Sequence, residues 1–393
     1  MHIPTELFLI FMRNSGIRTG DKAGTYSEVQ TFSCSSCGIC IDACQLNFSA
    51  GIKNIQSAYL MKAIRNNDEV SDIAHNCLMC GRCDQKCPVG IELSPIRMIQ
   101  RRGGDTENDF RNIYKGYFRS RHNVLADKSI MPAVYNFLPE SEPEKVDVLF
   151  FAGCMTHLTP AIKKSMVKIL DASGVNYKFI DEQGGVCCGR PLMLAGQDKE
   201  ARELINFNSQ MIWKSGAHTL VTSCPICYKV FKESYYLDVE VLHHTQFIKM
   251  LIDEGKIKMK FLRKRVVYHT PCDLGRGSGV YDEPKEVLSH ISRLEKSNFE
   301  DENSLCCGGS LGNMKISSQK KHKIACDTVA ELTKGNPDIL ATACPLCKKT
   351  FSSATETTVA DISEIVAEAL TDNPAKKNGN KHFKLIKELA NIS

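Results

Sequence analysis

Two short stretches, Val186-Cys187-Cys188-Gly189 and Leu305-Cys306-Cys307-Gly308, decide the fold because they are two copies of one motif. A single cysteine precedes each doublet, and a Cys-Pro-x-Cys pair follows it. Matched cysteines lie 118 residues apart before the doublet, 119 at it and 120 after it. So small a drift indicates an internal duplication. The ten cysteines are Cys154, Cys187, Cys188, Cys224 and Cys227 in the first copy and Cys272, Cys306, Cys307, Cys344 and Cys347 in the second.

Strand-like and helical patterns alternate through both copies. Apolar runs at 146–151 and 265–269 lead to the single cysteines, and runs at 219–222 and 339–342 lead to the Cys-Pro-x-Cys pairs. Between these runs, apolar residues recur at helical spacing. This order predicts α/β modules with mainly parallel sheets. The cysteines would lie where strands end, which is where such sheets carry their sites.

A second cysteine pattern lies upstream, where the run Cys-x2-Cys-x2-Cys-x3-Cys occurs twice, beginning at Cys34 and at Cys77. This is the ligand run of bacterial ferredoxins, in which the fourth cysteine binds the other cluster. Zinc also accepts four thiolates, but its sites usually use separated Cys-x2-Cys pairs. We predict one cubane [4Fe–4S] cluster on Cys34, Cys37, Cys40 and Cys87, and a second on Cys44, Cys77, Cys80 and Cys83.

Composition and pattern together place the domains. Residues 1–138 are predicted to hold an N-terminal segment and an α-helical two-cluster ferredoxin-type domain. Two prolines and three acidic residues make 139–145 a linker. The duplicated α/β modules cover 146–258 and 259–370, and a polar tail covers 371–393. The fold class is therefore multidomain α + α/β.

The bulk properties of the 393-residue chain are those of an ordinary globular protein, with 42% apolar and 24% charged residues. Disulfide-dense chains are small and secreted, so we expect a reducing cytoplasm. The apolar run at 7–12 is too short to span a membrane. The formal charge of +5 counts ligating thiolates as neutral, so it indicates no nucleic-acid partner.

Five cysteines in each copy exceed the four ligands of a cubane. One cysteine is idle, or one thiolate bridges irons in a larger cluster; zinc is the remaining alternative. The pattern in each copy resembles the CCG domain, in which a single cysteine is followed by a Cys-Cys-Gly and then a Cys-x2-Cys at these spacings. That domain occurs twice in the catalytic iron–sulfur subunit of heterodisulfide reductases. With the ferredoxin-type domain in front, residues 30–365 resemble the D subunit of that family, equivalent to its C and B subunits fused.

The resemblance implies a noncubane [4Fe–4S] cluster on each five-cysteine set, and therefore four [4Fe–4S] clusters in all. It implies an iron–sulfur oxidoreductase subunit of an anaerobic redox complex that reduces a disulfide of the heterodisulfide type. CCG domains also occur in subunits of anaerobic glycerol-3-phosphate, glycolate or lactate dehydrogenases and of fumarate reductases. The alternative is thus a non-catalytic relay that passes electrons between a flavin-dependent dehydrogenase and a quinone or other carrier.

Disulfide reduction consumes protons, and His157 and His269 lie three residues from Cys154 and Cys272. They are candidate proton donors, with structural hydrogen bonding as the alternative for both. No Gly-x-Gly-x-x-Gly opens a helix after a strand, so we expect no bound flavin or nicotinamide. Electrons would then pass through a flavoprotein or a membrane subunit with haem or quinone, at the inner face of the membrane. The chain itself would have no membrane span.

Two further features are expected to be structural. Basic residues between 97 and 122, among them Arg97 and Arg101, are interpreted as a solvated helical face, with docking to an acidic partner as the alternative. Cys326 belongs to neither pattern and is expected to be a small buried residue.

Overall fold

The computed structural model describes residues 30, 33–49, 57–66, 74–102, 146–182, 186–194, 198–309 and 316–371. The predicted linker 139–145 lies outside these residues, as do the segment 1–29 and the predicted tail from 372 onward. In the part of the chain that is described, no helix is both long and apolar enough to cross a membrane.

The ferredoxin-type domain is helical, as predicted. Its helices are α1 (Ile39–Asp42), α2 (Gln45–Phe48), α3 (Ser57–Arg65), α4 (Arg82–Lys86) and α5 (Leu93–Arg102). Leu60 and Met61 of α3 pack against Leu93 and Ile96 of α5 in a small apolar core. The carboxylate of Asp84 accepts the Leu93 N–H at 2.8 Å, which fixes the start of α5 beside the second cysteine run.

The first module is a four-stranded parallel sheet in the order β2-β1-β3-β4. Its elements are β1 (Val148–Phe151), α6 (Gly153–His157), α7 (Pro160–Ser173), β2 (Tyr177–Phe179), α8 (Arg190–Leu194), α9 (Asp198–Lys214), β3 (Thr219–Thr222), α10 (Pro225–Ser234), β4 (Glu240–His243) and α11 (His244–Asp253). The four residues of β1 are all buried, as expected for a parallel strand covered on both faces.

The second module repeats this topology in the order β6-β5-β7-β8, again all parallel. Its elements are β5 (Arg265–His269), α12 (Gly275–Ser278), α13 (Asp282–Ile291), β6 (Arg293–Glu295), α14 (Ser318–Leu332), β7 (Ile339–Thr342), α15 (Pro345–Phe351), β8 (Thr358–Asp361) and α16 (Ile362–Ala369). The predicted duplication and the parallel sheets are both confirmed.

The two modules share one apolar core. Helix α7 packs on α16, and α11 packs on α13. Phe150 and Val221 of the first sheet belong to the same buried cluster as Val266 and Ala341 of the second. Each fully buried aliphatic side chain contributes about 1.5–3 kcal/mol to folding, so this interface holds the modules together as one unit.

The ferredoxin-type domain packs on the second module. Leu46 and Leu78 lie in one apolar cluster with Cys306, Ile316 and Ile324. The contact therefore joins a segment of the upstream cysteine runs directly to the downstream doublet.

Candidate metal centres

The five cysteines of the first module form one connected string of thiols. Cys187 is hydrogen-bonded to Cys154 and Cys188, and Cys227 is hydrogen-bonded to Cys188 and Cys224. Hydrogen bonds from Cys187 and Cys227 lower the pKa of Cys188 well below its usual value. All five side chains are buried. The fold thus collects thiols that are far apart in sequence into one enclosed group.

The second module repeats the string in the same order: Cys272, Cys306, Cys307, Cys347 and Cys344. The Cys347 thiol donates to Cys307, with the sulfurs 3.3 Å apart. Hydrogen bonds from Cys306 and Cys347 lower the pKa of Cys307, just as their counterparts do for Cys188. Cys272 is the partly exposed member of this set.

The two sites approach each other across the module interface. Burial raises the pKa of Cys344 to about 11, and the nearby charge of Cys224 in the other module adds to the rise. His244 and Asp361 meet at the same interface, with Nε2 3.1 Å from Oδ1 and both side chains fully buried. The carboxyl ends of the two sheets therefore face a common polar seam.

Proline fixes the last pair of cysteines in each module. Cys224 and Cys344 are the N-cap residues of α10 and α15, and Pro225 and Pro345 open these helices. Proline is favoured at a first helical position because its φ is already helical and its missing N–H is not needed there. The backbone of each cysteine is thereby placed at a helix N-terminus.

The glycine after each doublet has a left-handed backbone. Gly189 has φ 94° and Gly308 has φ 79°. In this conformation the N–H of Gly189 points at the sulfur of Cys187, and that of Gly308 at the sulfur of Cys306, each at 3.4 Å. Glycine is required because this region is unfavourable for residues with a Cβ.

The eight upstream cysteines form two groups. One cavity is lined by Cys34, Cys37, Cys40 and Cys87. In the other group, burial raises the pKa of Cys44 to about 12, with added effects from Cys77 and Cys80, and Cys83 lies beside Cys77 and Cys80 as well. Each group contains one cysteine from the other run, which is the arrangement predicted from the spacing. Their role as cluster ligands stays a prediction.

The interpretation of Arg97 and Arg101 as part of a solvated face is wrong, because both are fully buried. Arg101 donates to the carbonyls of Ala74 and His75. Burial by itself lowers the pKa of Arg97, but neighbouring cysteines, Cys77 foremost, more than offset this and raise it. A buried cation thus stands beside the second cysteine group. The basic residues from 111 to 122 lie outside the described part of the chain.

His157 lies beside the first site and contacts Asp181. Its Nε2 is 3.3 Å from Oδ2 of Asp181, close enough for an ion pair but not aligned as a hydrogen bond. The Asp181 carboxylate accepts the N–H groups of Ala152 and Gly153 at 2.9 and 2.8 Å. Asp181 thereby holds the turn that leads from β1 to Cys154, a role that no sequence pattern indicated.

His269 lies beside the second site with both ring nitrogens engaged. Nε2 is 2.9 Å from the Leu305 carbonyl and Nδ1 is 3.2 Å from the Thr342 hydroxyl. Burial lowers the pKa of His269. The neutral ring with Nε2–H fits both contacts, so this arrangement favours a positioning role. Proton donation by His157 or His269 stays a prediction.

Cys326 lies outside both strings. It is partly exposed, and its sulfur is 3.5 Å from Nε2 of His322 on the same helix. The expectation of a small buried residue is therefore wrong, whereas its separation from the ligand sets holds.

The donor sets fit iron–sulfur clusters. Thiolates are the cluster ligands, and backbone N–H groups directed at sulfur are a normal part of such sites. Within the described residues, no three histidine, cysteine or carboxylate groups converge tightly enough to hold a single metal ion. The thiols gather instead as the sets of four and five described above.

The domains match known families. Residues 30–91 match the 4Fe-4S dicluster domain, and residues 148–232 and 266–352 each match the cysteine-rich CCG domain. The fold and the sites therefore define an iron–sulfur oxidoreductase subunit.

Over 326 residues the chain is 30% identical to the D subunit of dihydromethanophenazine:CoB--CoM heterodisulfide reductase from Methanosarcina barkeri, covering 77% of this chain and 79% of that protein. The chain belongs to the family of heterodisulfide reductase D subunits.

Two further similarities extend this result. The chain is 27% identical over 340 residues to EtfAB:quinone oxidoreductase of Syntrophomonas wolfei, covering 76% of this chain but 47% of that longer protein. A crystal structure of a hypothetical protein from Helicobacter pylori superimposes with a TM-score of 0.57 at 11% identity, covering 93% of this chain and 75% of that one. The latter similarity concerns the fold alone.

Proposed function

We propose that this chain is the iron–sulfur subunit of an anaerobic redox complex and that it reduces a disulfide of the heterodisulfide type. The observation that carries the proposal is the completeness of both thiol strings. Each module retains all five cysteines in the same connected order, and Cys224 and Cys344 approach each other between the modules. Two matched sites on one seam suit a substrate with two sulfur atoms.

The proposal assigns the cysteines to four [4Fe–4S] clusters. The upstream cysteines hold two cubanes, in the groups Cys34, Cys37, Cys40, Cys87 and Cys44, Cys77, Cys80, Cys83. The five-cysteine strings hold two clusters of the noncubane type implied by the family resemblance. When bound, such clusters accept and release single electrons. No flavin or nicotinamide is assigned to this chain.

Electrons are proposed to pass between the ferredoxin-type domain and the second module. A hydrogen bond from the Cys306 thiol, with the Arg276 cation nearby, lowers the pKa of Cys80 to about 6. Arg276 of α12 also donates to the Cys80 carbonyl at 2.8 Å and to the Ser304 carbonyl at 2.8 Å. These contacts support a short connection between an upstream ligand and a ligand of the second module.

The proposed reaction takes one disulfide, two electrons and two protons to two thiols. The sulfur–sulfur bond breaks, and each sulfur gains one electron and one proton. The reductant is a flavoprotein or a membrane subunit carrying haem or quinone. Of the two histidines, His157 is the better placed to supply a proton, because both nitrogens of His269 already bond to the protein.

The surface near Cys37 is proposed to meet the redox partner. Cys37 is exposed, whereas the other upstream cysteines are partly buried. Ile39 and Val89 beside it are 42% and 47% exposed, whereas most large apolar side chains in the described part of the chain are buried or partly buried. Such a patch supports contact with a partner protein. We place this complex in the cytoplasm or at the inner face of the membrane.

The similarity to EtfAB:quinone oxidoreductase supports a second candidate, in which the chain only relays electrons between a flavin partner and a quinone. The relay function predicts that no disulfide substrate binds between the modules.

Anaerobic purification followed by disulfide turnover tests the proposal. The reduced protein should carry about sixteen irons and release two thiols from each asymmetric disulfide. About eight irons per chain, the number for two clusters, would overturn the assignment of clusters to the modules. A fully loaded protein that reoxidises with a quinone analogue but never with a disulfide would establish the relay instead.

A further inference from the structure

The first module holds its cysteine doublet with its own residues. Asn208 of α9 donates from Nδ2 to the Cys187 carbonyl at 2.9 Å and to the Tyr235 hydroxyl at 2.8 Å. Tyr235 in turn donates to the Cys188 carbonyl at 3.0 Å. Both doublet carbonyls are therefore satisfied from within the module, and Asn208 is fully buried.

The second module holds its doublet with a residue from another domain. Thr328 lies 120 residues after Asn208, at the matching position of α14, and its hydroxyl donates to the Cys306 carbonyl at 3.0 Å. Gln45 of the ferredoxin-type domain completes the arrangement. Its Oε1 accepts the Cys306 N–H at 2.6 Å, and its Nε2 donates to the Cys306 carbonyl at 3.1 Å and to the Thr328 hydroxyl at 2.9 Å.

Gln45 lies next to a predicted cluster ligand of the ferredoxin-type domain. Gln45 directly follows Cys44, which is the N-cap residue of α2. Gln45 is 1% exposed. If its amide were removed, the buried Cys306 N–H would lose its acceptor, and the Cys306 carbonyl would keep the Thr328 hydroxyl as donor. Two hydrogen bonds from Gln45 to Cys306 fix both the distance between these residues and their relative orientation. A single side chain thus connects adjacent upstream and downstream cysteine sites.

We propose that Gln45 is a positioning residue that holds the Cys44 side of the ferredoxin-type domain against Cys306. The second module accepts the domain because residue 328 is a short threonine, whereas Asn208 and Tyr235 close the matching place in the first module. The docking role is inferred from these hydrogen bonds and does not depend on the function proposed above. Its consequence for electron transfer rests on the function proposed above.

The test compares Gln45→Leu with the double variant Gln45→Leu, Thr328→Asn. Leucine removes the amide oxygen and the amide nitrogen while keeping a side chain of similar size. Asparagine at 328 copies Asn208 and restores a side-chain amide to the Cys306 carbonyl without linking the two domains. Asn47→Leu is the matched control, because the Asn47 amide donates to the Ile41 carbonyl within the ferredoxin-type domain.

Two measurements are made anaerobically on the full chain loaded with iron–sulfur clusters. The first is hydrogen exchange of segments 44–49 and 304–309. The second uses rapid-freeze EPR to measure the rate at which electrons from reduced viologen reach the second module. Gln45→Leu should raise exchange in both segments about tenfold, since it removes three buried hydrogen bonds between the domains. Electron arrival should slow while the iron content stays unchanged. Asn47→Leu should leave segment 304–309 and the rate of electron arrival at the wild-type level.

The double variant distinguishes docking from local support. Docking predicts that Thr328→Asn restores protection of 304–309 but neither protection of 44–49 nor the electron-transfer rate. If the double variant regained wild-type protection in both segments and the wild-type rate of electron transfer, the proposal would be overturned. Unchanged exchange in Gln45→Leu would overturn it as well. Should Gln45→Leu lose iron, Gln45→Glu retains the acceptor for the Cys306 N–H and must show a smaller change in the same direction. Neither measurement uses a disulfide. A failure of the proposed disulfide reduction can therefore be distinguished from a failure of the docking proposal.

Discussion

The two CCG modules have the same topology and the same order of connected thiols, yet they support their doublets differently. In the first, Asn208 and Tyr235 bond to the doublet carbonyls. In the second, Gln45 arrives from the ferredoxin-type domain. Duplication has therefore kept the geometry of the thiols while the surrounding residues diverged. The second copy depends on another domain for support that the first copy provides for itself.

A second difference lies at the strand before the first cysteine of each module. Phe151 meets Phe231 edge to face, with ring centroids 4.9 Å apart at 88°. At the matching place, His269 meets Phe351 at 4.7 Å and 86°. The packing is the same, but the histidine adds hydrogen bonds that reach Leu305 beside the doublet. The second module therefore carries polar support where the first is purely apolar.

The largest effect is expected from removing the central thiol of either string. Cys188→Ser and Cys307→Ser should each lose the iron of one module, leaving about twelve of about sixteen irons. With a reduced ferredoxin as donor, Cys188→Ser should still reduce the second module. Cys307→Ser should leave the first module oxidised, because the proposed route brings electrons in through the second module. EPR after donor addition measures both.

The matched pair of cysteine variants contains its own control, since the two serines are equivalent within their modules. Equal reduction of the first module in Cys307→Ser and in wild type would contradict passage through the second module. Disulfide turnover should fall to background in both variants, because the proposed reaction uses both sites.

A smaller effect is expected at the glycines. Gly189→Ala incurs the cost of a left-handed alanine, about 1–2 kcal/mol. Gly308→Ala should cost about 2–5 kcal/mol, because the new Cβ would also lie 2.8 Å from the Lys321 carbonyl, whereas the nearest atom to a Cβ at Gly189 is 3.8 Å away. Denaturant unfolding under anaerobic conditions measures the difference. Equal losses would show that α14 yields as easily as α9.

His269→Phe makes the second module resemble the first. It leaves the buried Leu305 carbonyl without its donor, which costs about 1–3 kcal/mol. Because burial lowers the pKa of His269, the wild-type histidine contributes stability above its ordinary pKa of about 6.5 and loses it as pH falls through the lowered value. The variant should therefore lose less stability on acidification below about pH 6.5.

Unfolding curves at a series of pH values test this expectation. The exposed His290 of the same module provides the control, since His290→Gln removes an imidazole from the surface of α13. A pH dependence in His269→Phe as steep as that of wild type would assign the acid sensitivity to other groups.

The sequence predicted those features that depend on short-range spacing. The alternation of strands and helices is visible in the local periodicity of apolar residues, and the duplication is visible in the repeated cysteine spacing. Together they predicted the two parallel sheets. The same spacing indicated that Cys87 would join the group of Cys34, as it does. Contacts between distant side chains leave no such pattern: Gln45 and Cys306 are 261 residues apart. The burial of Arg97 was missed for the same reason, because only packing shows which face of α5 is covered.

The smallest effect concerns Cys326, and it bears on the number of ligands. The matching residue in the first module is Asn206, which is exposed. Cys326→Asn should leave the iron content unchanged and shift the free energy of unfolding by no more than about 0.5 kcal/mol, because a partly exposed side chain away from the core is replaced. A loss of iron on this substitution would mean that the second module uses a sixth thiol that the first lacks. The two modules would then differ in the site itself, and not only in what surrounds it.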